Sequence, residues 1–443
     1  MQMRKSPIDQ LVEPVSKFIH QEYTSGIVLL MSVLAAIIWV NSPWQESYHY
    51  FWNITFAVGI GNAVLSHPLH IWINDGLMAI FFFVIGLELK REFMEGELSS
   101  VKKASLPMMA ALGGMLVPAL IYFFINQGTE AAHGWGIPMA TDIAFALALL
   151  SIAGKHIPSS IKVFLSALAV ADDLGAVLVI AFFYSTGISF LPLIIGLGFL
   201  MVLVIANVMG IRSGTFYLII GFGVWVGFLL SGVHATIAGV LVAFTIPART
   251  KINEEQYSRK IKLLINDFDH EIPNRGALTT PSQHQTIQEI KNVSSDAETP
   301  LQKIENALHP YVAFVIMPLF ALANSGIIIG ADILSAVINP VSLGVAIGLL
   351  LGKFIGVLLF TFILVKTKLA QLPHKATWGH ITGVAVLAGI GFTMSLFISA
   401  LAFHDSQMID QAKYGILLAS LMAGSLGLFL LKRTKKAAHP TIG

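Results

Sequence analysis

The sequence predicts an all-α polytopic membrane protein of about twelve transmembrane helices, and three observations predict it. Of its 443 residues 55% are hydrophobic and only 12% charged, with a mean hydropathy of +0.76, a composition foreign to soluble globular chains. The apolar runs approach the roughly 20 residues a spanning helix needs, and they lack the strict alternation of outer-membrane strands. Lysine and arginine, finally, gather in alternate loops, as the positive-inside rule demands.

By length and apolarity the spans run over 24–40, 71–89, 107–125, 137–153, 160–184 and 190–208, then 215–231, 233–246, 311–328, 343–365, 378–403 and 414–431. The division at Ser231 and Gly232 is the least marked. Arg4, Lys5 and Lys17 precede the first span, and Lys90, Arg91, Lys102 and Lys103 lie between the second and third. Lys155 and Lys162 follow the fourth, Arg212 the sixth, and a basic group over 249–303 the eighth. Lys366, Lys368 and Lys375 follow the tenth, and Lys432, Arg433, Lys435 and Lys436 close the chain. The opposite loops hold a single lysine, Lys413. Both termini and every basic loop are therefore expected in the cytoplasm. Residues 1–21 are polar ahead of the first apolar run, so no signal peptide is expected.

The apolar stretch 51–65 would invert every later loop if it spanned. It is expected at the outer surface, where a hairpin and a contact to a second subunit both fit it. The only long polar stretch, 250–302, reads as a cytoplasmic loop, partly helical or disordered. Its cations read as a solvated face, not a nucleic-acid site. The chain, 1–443, is thus a single transmembrane domain with the loop 250–302 inside it and a cytoplasmic tail at 432–443.

Within 164–182, FLSALAVADDLGAVLVIAF, two adjacent carboxylates stand near the middle of a spanning helix: Asp172 and Asp173. An ionised Asp there costs roughly 2.5–3.5 kcal/mol on insertion scales. A buried polar network and a cation or proton site are the two readings. Adjacent helical residues point about 100° apart, so the two carboxylates cannot do identical work. Lys353, in GVAIGLLLGKFIGVLLF, is the one charge plainly inside a late span and needs a carboxylate or carbonyl partner. Asp172 and Asp173 are both candidates, and the pair would be structural or exchangeable.

Span four, GWGIPMATDIAFALALLSIA, reaches Thr141 and Asp142, good helix starters, through Gly134, Gly136 and Pro138. Span eleven has the same character at Gly389, Gly391 and Thr393. Glycine also serves close packing between membrane helices. Position favours breaks, since each is the middle of a triplet, as paired broken helices in an inverted repeat are. At the inner end of span two, GLELKREFMEGE brings Glu88, Lys90, Arg91 and Glu92 to one boundary, with Glu305 and His309 in reach before span nine. An interfacial charge network is the plain reading. His234, opening span eight, reads as a hydrogen-bonded helix-end histidine.

Several classes are excluded. Zero cysteines remove disulfides, thiolate metal sites and iron–sulfur clusters. GLLLGKF is not a phosphate loop, because three residues separate its glycines and Phe354 replaces the magnesium-binding hydroxyl. An intramembrane aspartyl protease needs aspartates from separate helices, and here they are neighbours. A passive channel remains the rival to an exchanger.

The runs INDGLMAIFFFVIGLELKREF, ATDIAFAL, ALAVADDLGAV, GVHATIAG, HPYVAFVIMPLFALANSGI, LGKFIG and LAGIGFTMSLFI, in order along nearly the whole chain, resemble the NhaA family of bacterial sodium/proton antiporters. The resemblance implies twelve helices in an inverted repeat, with broken helices four and eleven crossing near the midplane. It implies electrogenic, pH-regulated export of Na+ or Li+ against external H+ from the bacterial inner membrane, with no cofactor. Asp172 and Asp173 match the ion-binding pair, Lys353 the lysine paired with the first aspartate, and Thr141 and Asp142 the break of helix four. Glu88, Arg91, Glu92, Glu305 and His234 match residues linked to pH response. The loop 250–302 departs from the family in length, which puts cytoplasmic regulation in question and leaves the membrane site intact.

Overall fold

Each predicted span becomes helical, because a backbone in hydrocarbon must bond to itself. The computed structural model describes residues 24–60, 63–154, 156–185, 187–271, 278–329 and 337–434. Arg4, Lys5, Lys17, Lys155, Lys435 and Lys436 of the charge argument lie outside the described residues.

The chain runs α1 (Thr24–Val40), α2 (Gln45–Asn53), strands β1 (Thr55–Ile60) and β2 (Ala63–Pro68), α3 (Leu69–Met94) and α4 (Val101–Ile125). A 3-10 leg (Glu130–Met139) leads into α5 (Ile143–Ala153), followed by α6 (Ser159–Phe183), α7 (Phe190–Val208), α8 (Gly214–Ser231) and the short α9 (Ala235–Thr245). The polar loop forms α10 (Glu254–His270) and α11 (Pro281–Ala297). Then come α12 (Pro300–Asn324), α13 (Pro340–Lys366), α14 (Trp378–Leu387), α15 (Phe392–Ala402) and α16 (Ser406–Arg433). Helices α3, α12 and α13 each contain a π-helical turn, at Trp72–Leu77, Val312–Ile316 and Gly348–Gly352.

All twelve predicted spans fall on helices, but they are unequal. Eight are long and apolar enough to cross a membrane unaided. Two more are broken: the 3-10 leg with α5, bent by 42°, and α14 with α15, bent by 43°. The remaining two are shorter, α1 at 17 residues and α9 at 11. A turn at Gly232, φ 79°, separates α8 from α9. Lys90 covers the other end of α9, donating from Nζ to the Phe244 and Ile246 carbonyls at 2.7 and 2.5 Å.

Several helices start earlier than apolarity predicts. α4 begins at Val101, not 107, because Ser100 caps it by accepting from the Lys103 N–H; Pro107 rides inside the helix. α12 begins at Pro300, not 311, since Thr299 and Gln302 form a capping box and Pro300 occupies the first turn. Glu305 therefore stands on α12 and not on a loop before it. Segment 51–65 is split between α2 and an antiparallel hairpin pairing Thr55 with Pro68 through Ile60 with Ala63. This is the one departure from all-α among the described residues.

Loop 250–302 is largely helical. α10 and α11 each start on a capping box, Asn253 with Gln256 and Thr280 with Gln283. A hydrogen bond of 2.9 Å from Lys251 holds the exposed Asp296 carboxyl below its ordinary range. That tie is present above the usual carboxylate pKa and is lost in acid, and its exposure keeps its contribution small.

α4, the first broken pair, α6, α13, the second broken pair and α16 pack as one group; α3, α8, α9 and α7 pack along its flank, with α12 and α1 beside them. α7 turns many large apolar side chains outward, Phe190, Leu191 and Ile194 among them, as a lipid-facing helix does. α4 and α13 touch backbone to backbone: a Cβ on Gly356 would collide with the Gly113 carbonyl oxygen. Gly356→Val is therefore expected to force α4 from α13 and destabilise the fold by at least about 1–3 kcal/mol. A lowered melting temperature in detergent checks it; a wild-type melt would show that this approach is not required.

Candidate functional site

The two chain breaks meet each other beside the middle of α6. The Asp142 N–H donates to the Ile390 carbonyl at 2.6 Å, and the Thr141 hydroxyl lies 3.0 Å from the Ala388 carbonyl, its single proton shared between that oxygen and Asp172 Oδ2. The Ser395 hydroxyl donates to the Ile137 carbonyl at 2.8 Å. Each break thus satisfies backbone groups of the other, which is what irregular chain at membrane depth requires.

Asp142 ties the two downstream helices together. Its Oδ1 accepts from the Phe145 N–H at 3.1 Å, capping α5. Its Oδ2 accepts from the N–H and hydroxyl of Thr393, at 3.1 and 2.5 Å, in the first turn of α15. Helix N-termini carry partial positive charge, and one carboxylate here faces two of them.

Asp172 and Asp173 project from α6 with 0% and 1% exposure, and the 100° between them separates their surroundings. Asp172 Oδ2 accepts from Lys353 Nζ at 2.5 Å and from the Thr141 hydroxyl at 2.9 Å. Lys353 is itself 0% exposed, so this is a fully buried ion pair. Asp172 Oδ1 and both oxygens of Asp173 have no hydrogen-bond partner among the described residues. One aspartate is engaged and its neighbour is open.

Three buried carboxylate oxygens are thus left without a donor among the described residues. All are hard oxygens, the donor type for alkali cations and for protons, and no thiolate or imidazole joins them. Among the described residues no cluster of histidine, aspartate and glutamate is arranged to hold a resident metal.

The charged group at the end of α3 lies elsewhere. Arg91 stands at its centre, with Nε 3.1 Å from Glu305 Oε1 on α12, and Nη2 and Nη1 at 3.8 and 3.9 Å from Glu88 and Glu92. Arg91 is 40% exposed and Glu305 only 14%, so the network straddles the protein surface. His309 sits one turn beyond Glu305 on α12. Lys90, next in sequence, leaves the group to cover α9.

His234 is not in that cluster. It precedes α9 at the end opposite Lys90, a helix length of roughly 16 Å away. Its Nε2 lies 2.8 Å from the Tyr184 carbonyl, just past the end of α6. Tyr184 is the site neighbour that sequence reasoning did not single out, whereas Thr393, read with Gly389 and Gly391 as the break of span eleven, joins the site through Asp142.

The family model described as Na+/H+ antiporter 1 matches residues 16–431. The chain is 48% identical over 435 residues to a Na+/H+ antiporter NhaA of Oleidesulfovibrio alaskensis, covering 98% of this chain and 97% of that one. It is 45% identical over 427 residues to the protein of the same name from Koribacter versatilis, covering 96% and 93%. A Na+/H+ antiporter NhaA 1 from Psychromonas ingrahamii is 47% identical over 418 residues, covering 94% and 95%. A match over nearly the whole length, carried through both broken helices and the α6 carboxylates, means that the chain belongs to the Na+/H+ antiporter 1 family, together with the bacterial NhaA proteins.

Proposed function

We propose that this multi-pass membrane transporter exports Na+, or Li+ in its place, against entering protons, with Asp172 and Asp173 as the ion-binding residues. The observation that carries the assignment is Asp173, buried with both oxygens unpartnered beside an engaged twin. A carboxylate in that state takes either a proton or a hard cation, and the two compete for the same oxygens. Competition for one site is what couples the two flows. Asp172 and Asp173 titrate as a unit because they are neighbours.

Charge counting supports an electrogenic exchange. The Lys353–Asp172 pair is neutral as it stands, so a Na+ that replaces a proton on Asp173 alone would give one-for-one exchange. Asp172 Oδ1, unpartnered beside the Lys353 contact on Oδ2, is the further carboxylate oxygen at which a second proton can give way to the cation. Thr141 and Asp142 hold the break beside this site.

The alternating basic loops favour a bacterial inner membrane with both termini cytoplasmic, one transmembrane domain over 1–443, a cytoplasmic loop at 250–302 and a cytoplasmic tail at 432–443. The hairpin within 51–68 has free strand edges, which favours a homodimer contact there. The Arg91 network, bridging α3 to α12, suits a pH-responsive element: protonating Glu88, Glu92 or Glu305 removes a partner of Arg91 and loosens one helix from the other. His234 lies apart from this network, and a role for it in pH response rests on the family resemblance alone.

Asp173→Asn keeps the shape and removes the charge, so it is expected to abolish Na+-driven proton flux in everted vesicles while insertion and melting stay near wild type. Substantial remaining exchange would remove the site assignment. Lys353→Ala leaves Asp172 buried and unpaired, with an expected loss of about 3–5 kcal/mol and a clearly lower melting temperature. An unchanged melt would end the pairing argument. For Glu305→Gln, the pH of half-maximal activity is expected to move while Na+ half-saturation at the new optimum holds. A pH profile at several Na+ concentrations decides, and a uniform loss of affinity would put Glu305 in the ion path instead.

A further inference from the structure

The 3-10 leg, Glu130–Met139, delivers the chain to Thr141, whose hydroxyl lies 2.9 Å from Asp172 Oδ2. Tyr184 grips that leg. Its hydroxyl donates to the His133 carbonyl at 2.8 Å and accepts from the Gly136 N–H at 3.2 Å. Phe183, the preceding residue, meets Trp135 of the leg edge to face, with ring centroids 5.1 Å apart. A Cβ on Gly136 would lie 2.8 Å from the Tyr184 hydroxyl oxygen, so the approach leaves no room for a side chain there.

Tyr184 is held from behind in turn. Its carbonyl accepts from His234 Nε2 at 2.8 Å, which requires the proton on that nitrogen. Tyr184 immediately follows α6, the helix that carries Asp172, 12 residues earlier and roughly 18 Å along the same axis. One helix thus supplies both the aspartate and the clamp that aligns the hydroxyl facing it.

We propose that Tyr184 is a positioning residue for ion binding: braced by His234, its hydroxyl sets the leg so that Thr141 meets Asp172. This rests on the reading of Asp172 and Asp173 as the ion site. Tyr184→Phe deletes one hydroxyl and keeps the ring, freeing the leg at Gly136 and His133.

The test is Na+ half-saturation of exchange in everted vesicles at one pH, for Tyr184→Phe, Thr141→Ala and the double variant. Loss of one such hydrogen-bonding group predicts a half-saturation raised roughly three- to tenfold in Tyr184→Phe. The maximal rate and the detergent melt are expected to stay near wild type. In the Thr141→Ala background the same change is expected to add nothing, because the clamp acts through Thr141. An unchanged half-saturation, with or without a lower melting temperature, overturns the proposal, and so does an equal factor in both backgrounds. If Tyr184→Phe does not accumulate, Gly136→Ala, whose methyl displaces the hydroxyl, carries the same comparison under the same criteria. Asp173→Asn, run alongside, keeps the failures apart. Exchange persisting there removes the ion site itself, whereas a silent Asp173→Asn beside an unchanged Tyr184→Phe removes only the clamp.

Discussion

The rest of the structure depends on a buried charge pair. Lys353 and Asp172 are both removed from solvent, and neither could stay ionised there alone. The pair therefore dictates what surrounds it. α4 passes close beside it: a Cβ on Gly114 would meet Val357 Cγ2 at 3.0 Å and lie in ordinary contact with Lys353 Cδ and Asp172 Oδ1 at 3.6 and 3.7 Å. Thr141 must arrive from a third segment to share the carboxylate oxygen. Three elements distant in sequence are thereby held around one short contact, and both chain breaks cross beside it.

That contact also explains why two adjacent aspartates differ. The helix turns them apart, and only one meets the lysine. The other is left with its oxygens uncommitted, which is costly in a resting protein and useful in one that must take up and release a charge. Asp142, a third buried carboxylate, is spent on peptide N–H groups and the Thr393 hydroxyl. Of three carboxylates near each other, one thus meets an ammonium, one meets two helix ends, and one has no hydrogen-bond partner among the described residues.

Much of this was legible in the sequence, because intramembrane charge is so unfavourable that each instance announces itself. Asp172, Asp173 and Lys353 were conspicuous for that reason, and Gly and Pro ahead of Thr141 marked the first break. Less was legible where polar residues carry the helix on. α4 and α12 begin well before their apolar runs because Ser100 and Thr299 cap them, and a count of apolar residues does not register a cap. Thr393 on Asp142 and Tyr184 on Gly136 were hidden for another reason. They join residues 251 and 48 positions apart, and no local pattern records such a meeting.

The π-helical turn of α13 has a geometric consequence. Gly344, Gly348, Gly352 and Gly356 are spaced by four, and each faces α4 or the leg beside it: Asn126 and Tyr122, then Pro138 and Pro118, then Pro118, then Gly113. In an unbroken α-helix four residues overshoot a full turn by about 40°, so three such steps would walk roughly 120° around the axis. The wider i→i+5 turn over Gly348–Gly352 advances less per residue and takes back part of that drift. The glycine seam therefore stays in phase with α4 over about three turns. Lys353, the first residue past the correction, emerges beside the seam at the angle from which it reaches α6.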